Sequence, residues 1–257
     1  VLETTYGFLT LKNGVPIGYV LLTTIFGCTE VAYNVFESFR GGEAARVFGK
    51  VLETARVLFG STGFSIDPYQ LGHGNAEGLS SGAWWFYYKM GFRPRDPGVL
   101  ALLQGELKRM KQDPSHRSSE TTLDKLSSDY LYLTLTRSQE RVLGSYSLGH
   151  VGLRVTRSLA ERFGADREAG IATCWREAAS LLKTPTRGIT AGERFAWKRW
   201  SPIIALIPDL EKWPASDRKA LAAAVRAKGG RRESDFVPLL EGHQRLRRAL
   251  LRLARED

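Results

Sequence analysis

Arg40, Gly41 and Gly42 stand together where phosphate chemistry would need them, between a strand-like run and a helix-like run. Cys28 to Phe36 has strand composition, and Ala44, Phe48, Val51, Leu52, Ala55 and Phe59 recur at helical spacing. A strand, a glycine turn and a helix start together make an anion site. The first-turn N–H groups have no partner inside the helix and carry the positive end of its dipole. A pyrophosphate can therefore dock on main chain that glycine leaves unobstructed. Titratable side chains flank this turn: Glu37 follows the strand, His73 lies on a polar glycine loop, and Tyr87 and Tyr88 sit on an aromatic helix.

The elements that must hold these groups are legible nearby. Phe8 to Leu11, a Lys12-Asn13-Gly14 turn and Ile17 to Ile25 read as a β-hairpin. Gly60 and Gly63 flank the end of the first helix, and Phe64-Ser65-Ile66 begins another apolar strand. Leu71 to Ser81 reads as a polar loop, and the Trp84-Trp85-Phe86-Tyr87-Tyr88 helix closes at Gly91.

Taken together, the first 95 or so residues resemble the acyl-coenzyme A half of a Gcn5-related N-acetyltransferase. Arg40-Gly41-Gly42-Glu43-Ala44-Ala45 is similar to that family's pyrophosphate loop at its first and last positions, with Glu43 in place of the central glycine. Ala83, Tyr87 and Gly91-Phe92 resemble its Ala, Tyr, Gly-Phe helix, although Ser80 stands where an asparagine is expected and the nearest one is Asn75. The hairpin resembles the strand pair ahead of the family's central strand. The resemblance implies an α/β (α+β) fold, a mixed, mainly antiparallel sheet flanked by helices, and direct transfer of an acetyl or other acyl group from coenzyme A to an amine. Acetyl-CoA is then the cofactor and no metal is expected.

In that reading the amine sheds a proton and the departing thiolate gains one. Tyr87 aligns with the family's tyrosine acid, Glu37 is a candidate base for the amine, and a strand N–H at Val35 or Phe36 would polarise the thioester oxygen. The cofactor would lie on Val35, Phe36, Arg40, Gly41, Gly42, Glu43, Ala44, Ala45 and Asn75. Each assignment has a plainer rival. The glycines suit a ligand-free strand-to-helix turn. Tyr87 and Tyr88 suit core packing, Glu37 suits a dipole partner, and His73 suits an incidental loop residue.

After Pro97 strand patterns nearly vanish. Val99 to Lys111 reads as a helix, Gln112 to Ser119 as a loop, and Tyr130 to Leu135 as a last short strand. Thr136 and Gln139 make a capping-box start for a helix over 137 to 148. Further helices are predicted over 151 to 163, 166 to 183, 191 to 207, 216 to 228 and 235 to 254, with Thr190 to Glu193 and Gly229-Gly230 marking boundaries. Residues 1 to 135 thus form the acyl-CoA-binding domain and 136 to 257 a helical region.

Charge separates the two halves. Residues 1 to 150 hold 15 Lys+Arg against 14 Asp+Glu, whereas 151 to 257 hold 22 against 13, so the helical region carries nearly all of the net +10. Arg194, Lys198 and Arg199 lie among Phe195, Trp197 and Trp200, and five arginines crowd the stretch from Arg245 to Arg255. Such a surface suits a nucleic acid, an anionic membrane face or an acidic protein, or simply a solvated amphipathic face. The second function class is accordingly a decayed transferase scaffold whose basic helices bind a partner. No apolar run reaches the roughly 20 residues of a membrane span, and no leader is visible, so a cytoplasmic setting is expected. Cys28 and Cys174 read as buried thiols. The first residue is Val1, and a segment upstream of Tyr6 is expected to be missing or replaced.

Overall fold

An Asn-Gly turn fixes the first hairpin. Strands β1 (Thr4–Lys12) and β2 (Val15–Ile25) are joined through Asn13 and Gly14 at φ 52° and 80°, the left-handed pair whose twist matches a two-residue hairpin. The computed structural model describes residues 1–39, 41–137, 143–144, 148–185 and 187–255. It divides into two units, one of Thr5–Leu143 and one of Gly144–Asp257 together with Val1–Thr4. The sheet unit ends at Leu143, a buried residue.

In the sheet unit β3 (Cys28–Val35) pairs antiparallel with β2 and parallel with β4 (Gly63–Ile66). The crossover between the parallel strands is α1 (Ala44–Phe59), whose Phe48 and Ala55 are fully buried and which ends on Gly60 in the left-handed conformation. Strand β6 (Leu131–Thr134) then pairs antiparallel with β4 and with the two-residue β5 (Arg93–Pro94). The six-stranded order is β1-β2-β3-β4-β6-β5, a mixed and mostly antiparallel sheet. Val20, Leu22, Val31, Phe64 and Ile66 from the strands meet Phe48, Trp84 and Phe92 in one core.

The stretch from Leu71 to Ser81 is not a plain loop. It is built of α2 (Pro68–Leu71), capped by Asp67, and α3 (Ala76–Ser80), capped by Asn75. Next come the aromatic α4 (Ala83–Lys89), α5 (Pro97–Gln112) capped by Asp96, and α6 (Glu120–Leu126) capped by Ser119. The helix expected over 137 to 148, and Gln139 of its capping box, fall mostly outside the described residues.

The helical unit comprises α7 (Leu148–Phe163), α8 (Arg167–Leu181), α9 (Ala191–Ile204), α10 (Ala215–Lys228), α11 (Glu233–Gly242) and α12 (Gln244–Ala254). Thr190 and Glu193 form the reciprocal capping box, with bonds of 3.1 and 2.8 Å. The start of α9 meets the end of α10 so closely that a Cβ at Gly192 would collide with the Gly229 carbonyl. The single helix predicted over 235 to 254 is two, because His243 interrupts it: its Nδ1 caps the Leu246 N–H at 3.2 Å and its Nε2 meets the Asp217 carbonyl at 2.8 Å. Trp197 and Trp200, which sit among arginines in the sequence, are 1% and 0% exposed and belong to the core with Phe236, Leu221 and Leu246. Among the described residues no helix is long and apolar enough to cross a membrane.

Candidate functional site

The turn after β3 brings several of the expected residues together. A cleft of about 240 Å³ is lined by Tyr33 and Val35 of β3, by Ser38 and Phe39, by Gly41, Gly42, Glu43 and Ala44, by Lys12 and Ile17 of the hairpin, and by Val47 of α1. Neither loop glycine is demanded by the fold. Both lack a positive φ, and a Cβ on either would meet nothing within 4 Å.

The start of α1 is electrostatically prepared. Its N-cap, Glu43, makes no side-chain cap bond, so the first-turn donors are not quenched by a side chain. The Ala44 N–H turns back to the Gly41 carbonyl at 3.0 Å. The Glu43 carboxylate is paired with Lys12, which also lines the cleft, at 2.5 Å. That bond and the lysine's charge keep its carboxyl below the usual range. Ala45 lies exposed on the first turn outside the cleft lining, and Arg40 is outside the described residues.

Main-chain geometry separates the two candidate thioester donors. The Phe36 N–H is spent on the Ile17 carbonyl at 2.9 Å, which corrects its expected role. Bonds alternate along an antiparallel ladder, so the Val35 N–H faces the opposite edge of β3. On that edge the parallel pairing with β4 has stopped at Glu30↔Ser65, and the last residues of β3 run on beyond it.

Tyr87 is 3% exposed and rests edge-on against Phe48 of α1 at 5.4 Å. Tyr33 meets the same Phe48 ring at 5.3 Å. Burial, and secondly the Tyr33 phenol, push the Tyr87 hydroxyl well above the ordinary tyrosine range. Burial also raises Tyr33. Tyr87 thus sits behind the cleft, while Tyr33 lines it. Strand alternation from Val35 would have pointed to Tyr33, because residues two apart share a face; the glycine turn and the aromatic helix drew attention away from it.

The remaining candidates are placed elsewhere. Glu37 is exposed at the start of a short 3₁₀ turn, Glu37–Phe39, and does not line the cleft. Asn75 is occupied at both ends of its amide: Oδ1 accepts from Gly78 N–H at 3.1 Å and Nδ2 donates to the Tyr69 carbonyl at 3.0 Å. Its expected contact with the cofactor is replaced by this capping task. Tyr88 stacks flat on Trp84 at 5.4 Å, and His73 approaches Asp124 at 3.3 Å. No protein-family model, curated protein or solved structure matches the chain.

Proposed function

We propose that the sheet unit binds an acyl-coenzyme A and transfers its acyl group to an amine. The observation that carries this reading is the turn itself: two adjacent glycines with no torsional or packing reason to be glycine lead into an uncapped helix start, and the Glu43 carboxylate beside them is paired with Lys12. Pyrophosphate would take the main-chain donors of Gly42, Glu43, Ala45 and Arg46, where the helix dipole favours it, the Ala44 N–H being held by the Gly41 carbonyl. The pantetheine arm would follow the edge of β3 that carries the Tyr33 and Val35 amides, which puts N–H groups beside the thioester oxygen. Amine attack would expel a thiolate that takes its proton from the Tyr87 phenol, kept protonated by burial, while the proton lost by the nitrogen passes to water and restores the phenol.

A second reading rests on the placement of the two proton-transfer candidates. Neither Tyr87 nor Glu37 lines the cleft, which favours a scaffold that retains the fold, has lost the chemistry, and engages an acidic protein or nucleic acid through its basic helices. Calorimetric titration with acetyl-CoA and with free CoA at moderate salt separates the two. The transferase reading expects stoichiometric, micromolar binding that the Gly41→Val/Gly42→Val protein loses. Absence of binding in the unaltered protein would leave only the scaffold.

A further inference from the structure

One face of α10 lines a cleft with cations. Ala215, Arg218, Lys219, Ala222 and Arg226 recur at helical spacing and share a face. The alanines leave a trough, and the long cations rise beside it. Leu182 and Pro185, at the end of α8, close the other side, forming an open cleft of about 560 Å³. That size is typical of small-molecule sites. Lys183 adds a fourth cation, and no carboxylate lines the cleft.

The neighbouring acid does not neutralise this face. Asp217, one residue before Arg218, is held by Arg245 Nε at 2.6 Å. Arg218 has an internal task, donating to the Leu181 carbonyl at 3.1 Å and so closing the end of α8. Arg226 has none. Its Nε is buried and meets no hydrogen-bond acceptor among the described residues. A guanidinium carries five donors in a fixed fork and cannot shed its proton. Burying one of those donors unmet costs free energy, and because Arg226 lines the cleft, an acceptor bound there would meet its guanidinium.

We propose that this cleft binds a small organic phosphate, with Arg226 and Lys219 taking the phosphoryl oxygens and the alanine, leucine and proline surface taking the organic body. Planar, bidentate pairing with a phosphoryl group suits the Arg226 fork. A concave, partly apolar trough favours a compact ligand over a polymer, whose phosphates are better met by cations strung along an exposed surface.

The test is calorimetric titration with ATP and with inorganic pyrophosphate, run on the full chain carrying Gly41→Val/Gly42→Val. The coenzyme site proposed above would itself attract a nucleotide, and this background removes it; binding that persists belongs to the helical unit whether or not the transferase reading stands. ATP should bind with a stoichiometry of one and more tightly than pyrophosphate. Arg226→Ala and Lys219→Glu should each weaken it by about ten-fold or more, and Arg248→Ala, which removes an equal charge from α12, should leave it unchanged. Lys219 is exposed, so its replacement keeps the test valid if Arg226→Ala fails to fold. No binding at millimolar ATP, or equal losses from Arg248→Ala, would overturn the proposal. So would tighter binding of a single-stranded RNA oligonucleotide whose loss is spread over the arginines of α12.

Discussion

In the proposed coenzyme site, Lys12 would offset the Glu43 charge that opposes an anion at the glycine turn. Glu43 stands at the position where a carboxylate would repel pyrophosphate, and the lysine reaches it from a strand 31 residues earlier at 2.5 Å. Lys12→Ala should release that negative charge toward the turn and weaken acetyl-CoA binding by about five-fold at low salt. Lys12→Ala/Glu43→Ala should restore it, because the second change removes the charge that the first set free. Calorimetry on the pair reads this directly, and a single variant with wild-type affinity would show the carboxylate too distant to matter. Tyr87 sets a different requirement. A phenol raised by burial transfers its proton to a thiolate only if the same dry surroundings raise the thiol as well, so under the proposed transfer the thiolate would have to form beside the Phe48, Phe86 and Phe92 rings that surround Tyr87. Tyr87→Phe should therefore lower acyl transfer by about 10²-fold or more while coenzyme affinity stays near normal. If Tyr33→Phe abolishes transfer and Tyr87→Phe does not, the donor is the phenol that lines the cleft.

Helix α5 shows how a buried charge fastens the segment that follows it. Glu106 is 1% exposed, and burial alone would push its carboxyl up. Ser118 Oγ donates to it at 2.5 Å, the His116 ring meets it at 3.0 Å and Arg109 adds a bond of 3.0 Å, so the net effect holds it below the ordinary glutamate range. Ser118 also accepts from the Trp85 indole at 3.1 Å, tying residues 113 to 119 to the aromatic helix. A folded-state carboxyl below its unfolded value, about 4.3, stabilises above that pH and loses the contribution as pH falls through the folded value. Glu106→Gln should cost about 1–3 kcal/mol at pH 7 in urea unfolding. The gap from wild type should narrow below about pH 4, and a pH-independent gap would mean that the charge is not what matters. None of this network was visible in the sequence, where the segment reads only as a polar loop. What was legible is local: the Asn13-Gly14 hairpin, α1 with its Gly60 stop, and the Thr190 capping box all follow from residues within a few positions of one another. What was missed is short or non-local. α2, α3 and β5 are too brief to show a period, and the break at His243 depends on a carbonyl from α10. At the site, the glycine turn and, by strand alternation, Tyr33 were readable for the same local reason, whereas Lys12 reaches it from a strand that only the fold brings close.

The two units hold separate cores, and the basic composition of the chain has to be understood within one of them. Trp197 and Trp200 lie inside that core and are withdrawn from any stacking with bases, while Phe195 stays exposed beneath Arg199. The outside of α12 is cationic: Arg245, Arg248 and Arg252 face solvent while Leu246 and Leu250 point inward. Separate cores predict separable energetics. Trp200 is fully buried and meets Phe236 edge-on at 6.0 Å in the helical unit, and Phe64 is fully buried in the sheet unit. Either residue cut back to alanine should remove about 3–5 kcal/mol from its own unit. Differential scanning calorimetry of the unaltered chain should then depart from two-state behaviour. Trp200→Ala should lower one component and Phe64→Ala the other. One sharp transition displaced equally by both replacements would instead make the cores a single cooperative system. The placement of the proposed phosphate cleft and acyl-CoA turn in different units would then no longer allow one to be tested without disturbing the other.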